Sequence, residues 1–186
     1  MHKFLALIIL VFSSLFSFSQ SKLPEVDKSP LDESYYPSNY PILKIQNKAS
    51  EPLIARVIYS RPQKQGRKIF GELVEYGKVW RLGANEATEL ELYKDVKIAG
   101  KKVSKGRYTL YAIVDENIWT IILNKDTDTW GAFKYDSKKD VLRTDVTVQK
   151  TDEIAESMSM WFEKTTTGIS LNAAWEQVKV SLPITL

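Results

Sequence analysis

Apolar and polar residues alternate along most of the chain, and after residue 40 the dominant period is two. Residues 55–60 (Ala-Arg-Val-Ile-Tyr-Ser) predict an early strand. Residues 88–94 alternate cleanly, with Leu90 and Leu92 on one side and Glu89 and Glu91 on the other. Val96 and Ile98 continue the pattern, and 99–102 makes a turn around Gly100. Residues 107–114 and 118–123 flank Asp115-Glu116-Asn117, which is hairpin spacing with an Asn suited to the left-handed region. Both runs are apolar on both faces, which makes them central strands, covered on both sides or lying under a long connection. Further strands are predicted at 141–148, at Met158/Met160/Phe162, at Ile169/Leu171/Ala173 and at Val178/Val180/Leu182/Ile184, where Pro183 suggests an edge. Only 71–76 and 151–156 offer helical turns. Short strands about 8–12 residues apart, separated by turn signals, predict an all-β fold, an antiparallel sandwich or a partly closed barrel.

The first twenty residues follow a different rule. Lys3 precedes an unbroken apolar run from Phe4 to Phe12, and small residues stand at Ser17 and Ser19. The run is far shorter than the roughly 20 residues a spanning helix needs, so 1–19 is expected to be a cleaved signal peptide. No cysteine follows it, so an N-terminal lipid anchor is excluded, and no transmembrane segment is expected after cleavage. Residues 20–40 hold Pro24, Pro30 and Pro37 with scattered charge and no sustained period, as a tether would. Tyr35, Tyr36 and Tyr40 are the residues by which part of it could dock. The β-rich domain then occupies 41–186, and the product is expected to be exported, periplasmic or secreted.

Composition narrows the chemistry. His2 is the only histidine, and the chain has no cysteine. A mature protein without either loses serine–histidine hydrolysis, cysteine nucleophiles, the common zinc and copper sites and His-ligated haem. No metal and no cofactor is expected. Acid–base work would fall to carboxylates, Lys or Tyr. With Lys3 removed, 25 basic residues face 23 acidic ones. That mild excess has no basic stripe interleaved with aromatics, so nucleic acid is not an expected partner.

Four constellations could carry function. Asn124-x-Asp126-x-Asp128 begins like a calcium loop, but Thr129 stands where Gly is needed and Tyr135 where Glu is needed. An Asx-type turn between strands fits it better. Asn85-Glu86 and Tyr135-Asp136 offer carboxylates beside aromatics, the raw material of a hydrolase pair. Trp80, Trp119, Trp130, Trp161 and Trp175 could form a stacking platform, although core packing is the expectation for the set. Trp119 keeps register with Ile121 and Leu123, whereas Trp161 falls opposite Met158, Met160 and Phe162. The fourth is the connection 61–87, which gathers Arg61, Arg67, Lys68 and Arg81 around Gly66, Gly71, Gly77 and Gly83. A connection of that length is either functional or folded over the core. Guanidinium forks suit carboxylates and phosphates, or else they pair internally with Glu86, Glu89 or Asp136. The candidate ligand-binding residues are Arg61, Arg67, Arg81, Asn85 and Glu86, with Trp130 and Tyr135 as aromatic neighbours.

The run Trp80-Arg81-Leu82-Gly83-Ala84-Asn85-Glu86, with Gly106-Arg107-Tyr108-Thr109-Leu110, Trp119-Thr120-Ile121-Ile122-Leu123-Asn124-Lys125, Trp130-Gly131-Ala132 and Ala174-Trp175-Glu176, resembles the bacterial domain-of-unknown-function family 2911. The resemblance covers roughly 40–184 and implies an exported β-rich domain. It carries no activity, and so transfers no catalytic residue. The reading that leads is a non-catalytic envelope domain binding a small ligand or a partner protein of the envelope through the 61–87 face. A carboxylate-dependent hydrolase acting on a sugar-containing polymer and a module pairing through a sheet edge are the alternatives. The signal-peptide reading makes one direct prediction. The intact mass of the exported protein matches a chain beginning at Gln20; a product retaining residues 1–19 overturns it.

Overall fold

The computed structural model describes residues 23–186, so the expected signal peptide and cleavage point lie outside the described residues. The elements are β1 (Leu31–Tyr36), α1 (Tyr40–Ile45), β2 (Ala55–Ser60), β3 (Val79–Trp80), β4 (Glu89–Leu92), β5 (Val96–Ile98), β6 (Lys101–Val103), β7 (Gly106–Ile113), β8 (Ile118–Asn124), β9 (Asp140–Thr147), β10 (Gln149–Lys164) and β11 (Gly168–Thr185). A single 3-10 turn, Ser137–Lys139, precedes β9. One sheet runs β1-β2-β4-β7-β8-β9, with β3 also on β7, and the other runs β10-β11-β5-β6. Every strand pair is antiparallel. The fold is a β-sandwich. No described helix is long and apolar enough to cross a membrane.

Alternation decides what faces the core. Leu90 and Leu92 of β4 are buried, while Glu89 and Glu91 point out and meet arginines on the neighbouring strands. Arg56 on β2 reaches Glu91 at 2.7 Å and Arg107 on β7 reaches Glu89 at 3.1 Å. Between the sheets, Leu110 and Ile121 meet Met160, Leu171, Val180 and Leu182 around a gap of about 10 Å³. That is at the lower limit for one water molecule, so the core is filled. β7 and β8 are central, as their apolar character requires, and their outer face is covered too. Tyr111 and Ile122 lie there under Ala87, Ala132 and Tyr135, so the segment between β8 and β9 shares the cover with the end of the 61–87 connection.

The structure departs from the periodicity in four places. Residues 151–156, which offered a helical turn, belong to β10: Ala155 pairs with Glu176, and two register shifts bracket it. The stretch is mostly exposed, so it carries no apolar stripe to bury as a helix. Residues 71–76 form turns, tied by Gly71 N–H to the Val74 carbonyl and Val74 N–H to the Ile69 carbonyl. The helix lies at Tyr40–Ile45, with Pro41 in its first turn, where the missing N–H is harmless. The second half of the tether stretch is β1, paired with β2 from Leu31↔Ser60 to Tyr36↔Ala55. Ser34 Oγ donates to the Met160 carbonyl at 2.7 Å, so this edge strand also touches the second sheet.

β11 folds back on itself at Glu176, whose φ is 56°. Its two arms are the two strands expected at 169–173 and 178–184. Asn172 Oδ1 accepts from Ser181 Oγ at 2.6 Å across the arms, and Leu186 N–H donates to the Thr167 carbonyl. Pro183 is exposed on the second arm, which pairs with β5 only at Thr185. Where the arms converge, a Cβ on Gly168 would lie 2.3 Å from the Ile184 carbonyl oxygen, with backbone atoms of Thr185 and Leu186 within 3.0 Å. Backbone cannot swing aside as a side chain does. Gly168→Ala is therefore expected to lower stability by about 1–3 kcal/mol, the range for overpacking, in chemical denaturation. A variant as stable as the parent would show that the arms are not in this contact.

Candidate functional site

The 61–87 connection crosses one end of the sandwich and stitches the sheets together. Gln63 makes a bridge with Ser157 of β10, Met158 N–H donates to the Pro62 carbonyl, and Lys64 N–H donates to that of Glu156. Farther along, β3 pairs with β7 through Trp80↔Ala112. Trp80 is buried, as its place in the extended segment required, and enters a cluster of four rings. It stacks on Trp175 of β11 at 6.2 Å with planes 19° apart. It also meets Trp119 of β8 edge-on at 5.9 Å and Phe70 at 6.1 Å. Each sheet and the connection thus contribute to one aromatic knot. The other two tryptophans stand outside it: Trp161 lies on the outer face under Lys179, and Trp130 is 61% exposed.

Beyond Trp80 the backbone turns sharply. Leu82 and Asn85 both take left-handed φ, 52° and 55°. A buried Leu there is uncommon and must be held by its surroundings. The restraints are visible: Trp80 Nε1–H donates to the Gly83 carbonyl at 3.1 Å, Thr88 N–H to that of Arg81, and Thr88 Oγ1–H to that of Leu82. Gly83 lies so close to β2 that a Cβ would come within 3.3 Å of the Ser60 carbonyl oxygen. The chain from Trp80 to Thr88 is therefore fixed, and with it the direction in which Arg81 points.

Arg81 is half-buried and sits where two adjoining clefts meet. Its Nε is buried and makes no hydrogen bond. Among the described residues no carboxylate pairs with it, and burial alone pushes its pKa below the usual arginine value. The remaining arginines are engaged. Arg61 is a clamp, pairing with Asp32 at 3.0 Å and donating to the Met158 carbonyl and Ser159 Oγ. Arg107 pairs with Glu89 and Asp128, and Arg143 with Asp140. Arg67 donates to the backbone carbonyls of Lys64 and Gln63 within its own turn.

The first cleft, about 350 Å³, is lined by Arg81 together with Arg67, Asn85, Ser29, Trp80 and Trp175, and no carboxylate lines it. The second, about 270 Å³, has Leu73, Val74, Ala132 and Phe133 as apolar walls, with Glu75 and Lys78 at its edge. Of the expected site residues, the fold brings together Arg67, Arg81 and Asn85. Asn85 Nδ2 donates to Asp27 Oδ1 at 2.9 Å, which tethers the N-terminal segment at this mouth. Glu86 is exposed and bridges to Trp130, while Gly131 N–H donates to the Asn85 carbonyl. These bonds carry the 129–133 segment along with the Arg81 turn.

Arg61 and Tyr135 do not join the clefts. Tyr135 donates to Asp140 Oδ2 at 2.6 Å and accepts from Arg143, and burial together with that carboxylate raises its pKa to about 12. Asp136 caps the 3-10 turn by accepting from Lys138 N–H. The acidic loop is an Asx turn: Asn124 Oδ1 accepts from Asp126 N–H at 2.9 Å, and its Nδ2 donates to Asp140. Asp126 and Asp128 go to Lys139 and Arg107. Leu73, Lys78 and Phe133 are the cleft residues that sequence reasoning missed. Only Phe133, an aromatic set among turn residues, carried any signal.

Neither curated proteins nor solved structures give a match to this chain. One family does: residues 43–184 of 186 match the family described as protein of unknown function DUF2911. The matched span holds the Trp80–Glu86 turn, the four-ring knot and both walls of the second cleft, and the chain belongs to that family.

Proposed function

We propose that the mature protein is an exported, non-catalytic domain that binds a small anionic ligand, carrying a carboxylate or a phosphate, through Arg81. The observation that carries this reading is the half-buried guanidinium, which no carboxylate pairs with among the described residues. A charge withdrawn from water is costly unless something pairs with it, and Arg56, Arg61, Arg107 and Arg143 meet that need with Asp or Glu. At Arg81 the fold leaves the planar fork facing open clefts, with Arg67 beside it and no lining acid in the larger one. A bidentate anion fits such a fork and gains from its partial desolvation. Strained backbone at Leu82 and Asn85, held by Thr88 and Gly83, fixes the group in advance, which lowers the cost of ordering it on binding.

The hydrolase reading has less support. A glycosidase-type mechanism needs two carboxyl groups across one site, and the residues lining the two clefts include only Glu75.

Arg81→Met removes the charge while keeping a long flexible side chain. The unliganded variant is expected to melt at the parent's temperature or a few degrees higher, because an unpaired half-buried charge has been removed. The parent, titrated with carboxylates and phosphates, gains about 2.7 kcal/mol at 100 times the dissociation constant, and the variant gains nothing. A variant that melts well below its parent without ligand makes Arg81 an internal clamp and overturns the proposal.

A further inference from the structure

The two clefts at Arg81 differ in chemistry, and that difference specifies a ligand. The first is a cationic mouth, with the Arg67 and Arg81 side chains and the Asn85 amide. The second adjoins it at Arg81 and has Leu73, Val74, Ala132 and Phe133 as its apolar lining, with Glu75 and Lys78 beside them. Its two outermost apolar groups are wet: Leu73 is 49% and Phe133 85% exposed. Leu73, Val74, Trp80 and Arg81 line both clefts, so the guanidinium stands at the junction of a charged half and an apolar half.

We infer that the ligand is a small amphiphilic monocarboxylic acid, its carboxylate on Arg81 and its apolar body laid along Leu73, Ala132 and Phe133. This rests on the anion-binding reading of Arg81 and adds what occupies the second cleft. The combined space suits a body of some six to ten heavy atoms, since pockets near 300 Å³ stand at the small end of ligand sites. Charge disfavours the opposite amphiphile: a cation would face Arg81, Arg67 and Lys78, with Glu75 lining the second cleft and Asp27 held on Asn85 at the mouth of the first. The apolar wall is carried on a turn tied to the Arg81 segment. Gly131 has φ 67°, a left-handed conformation that favours glycine, and a Cβ there would sit 2.7 Å from the Phe133 ring as it is placed. The Glu86↔Trp130 bridge and the Gly131–Asn85 hydrogen bond then fix this turn to the Arg81 segment.

Isothermal titration of the purified protein with acetate, butanoate, hexanoate and octanoate, with inorganic phosphate and octylamine as controls, tests the inference. Affinity is expected to rise about twofold to fourfold per added methylene, a gain of the size that burying one gives. Octylamine is expected not to bind. Phe133→Ala, at a position exposed enough to leave folding intact, should weaken octanoate roughly tenfold while leaving acetate unchanged. Arg81→Met should abolish every acid. Acid and phosphate affinities that depend on Arg81 but not on chain length would overturn this inference and leave the anion-binding reading standing. Chain-length dependence that survives both variants would overturn it too, as ordinary surface adsorption. Failure of every anion to bind overturns both.

Discussion

Trp80 lies flat on Trp175 and edge-on to Trp119 and Phe70, and the rest of the molecule is arranged around that contact. The three tryptophans come from β3, β11 and β8, which belong to both sheets, and Phe70 comes from the long connection. A chain without disulfides has only burial and pairing to close the end of a sandwich, and four rings at one point are a dense way to supply both. Residue 81 follows on an extended backbone, so burying Trp80 inward directs its neighbour out of the core and into the clefts. The left-handed turns at Leu82 and Asn85 then hold the segment, and with it Arg81, at the junction of the clefts.

The two arginines at the ends of the connection make the energetic contrast plain. Arg61 has a carboxylate, a hydroxyl and a carbonyl within hydrogen-bonding distance, and its work is to hold β1, β2 and β10 together. Arg81 has none of these among the described residues and lines two clefts. Stability alone would favour an apolar side chain there. A group kept at a cost to the resting fold is the signature of a site that becomes favourable only when occupied.

Local pattern made much of the fold legible. The bounds of β2, the β7–β8 hairpin and the alternation of β4 follow from period two, because each has one buried face or lies wholly inside. β1 was not legible, since its pairing with β2 comes from the edge it meets and not from its own mixed sequence, Leu-Asp-Glu-Ser-Tyr-Tyr. That miss propagates to the site. In sequence Arg61 and Arg81 are alike, and what separates them is Asp32, a residue on the unrecognised strand. Tyr135 and Trp130 are alike in sequence as aromatic neighbours of the candidate site, but the first is engaged by Asp140 whereas the second is 61% exposed. Such pairings join residues distant in sequence, and no spacing encodes them.

The central claim is that the Arg81 guanidinium, which has no carboxylate partner among the described residues, takes up an anion from the clefts it lines. Proton–nitrogen correlation of the arginine side chains, with the Arg81 signal assigned by its loss in Arg81→Lys, reads this group directly. On addition of octanoate the account predicts a downfield shift of the Arg81 guanidinium protons, with the signals of Arg56, Arg61, Arg107 and Arg143 unmoved. Arg81 signals that the acid leaves unchanged would contradict it.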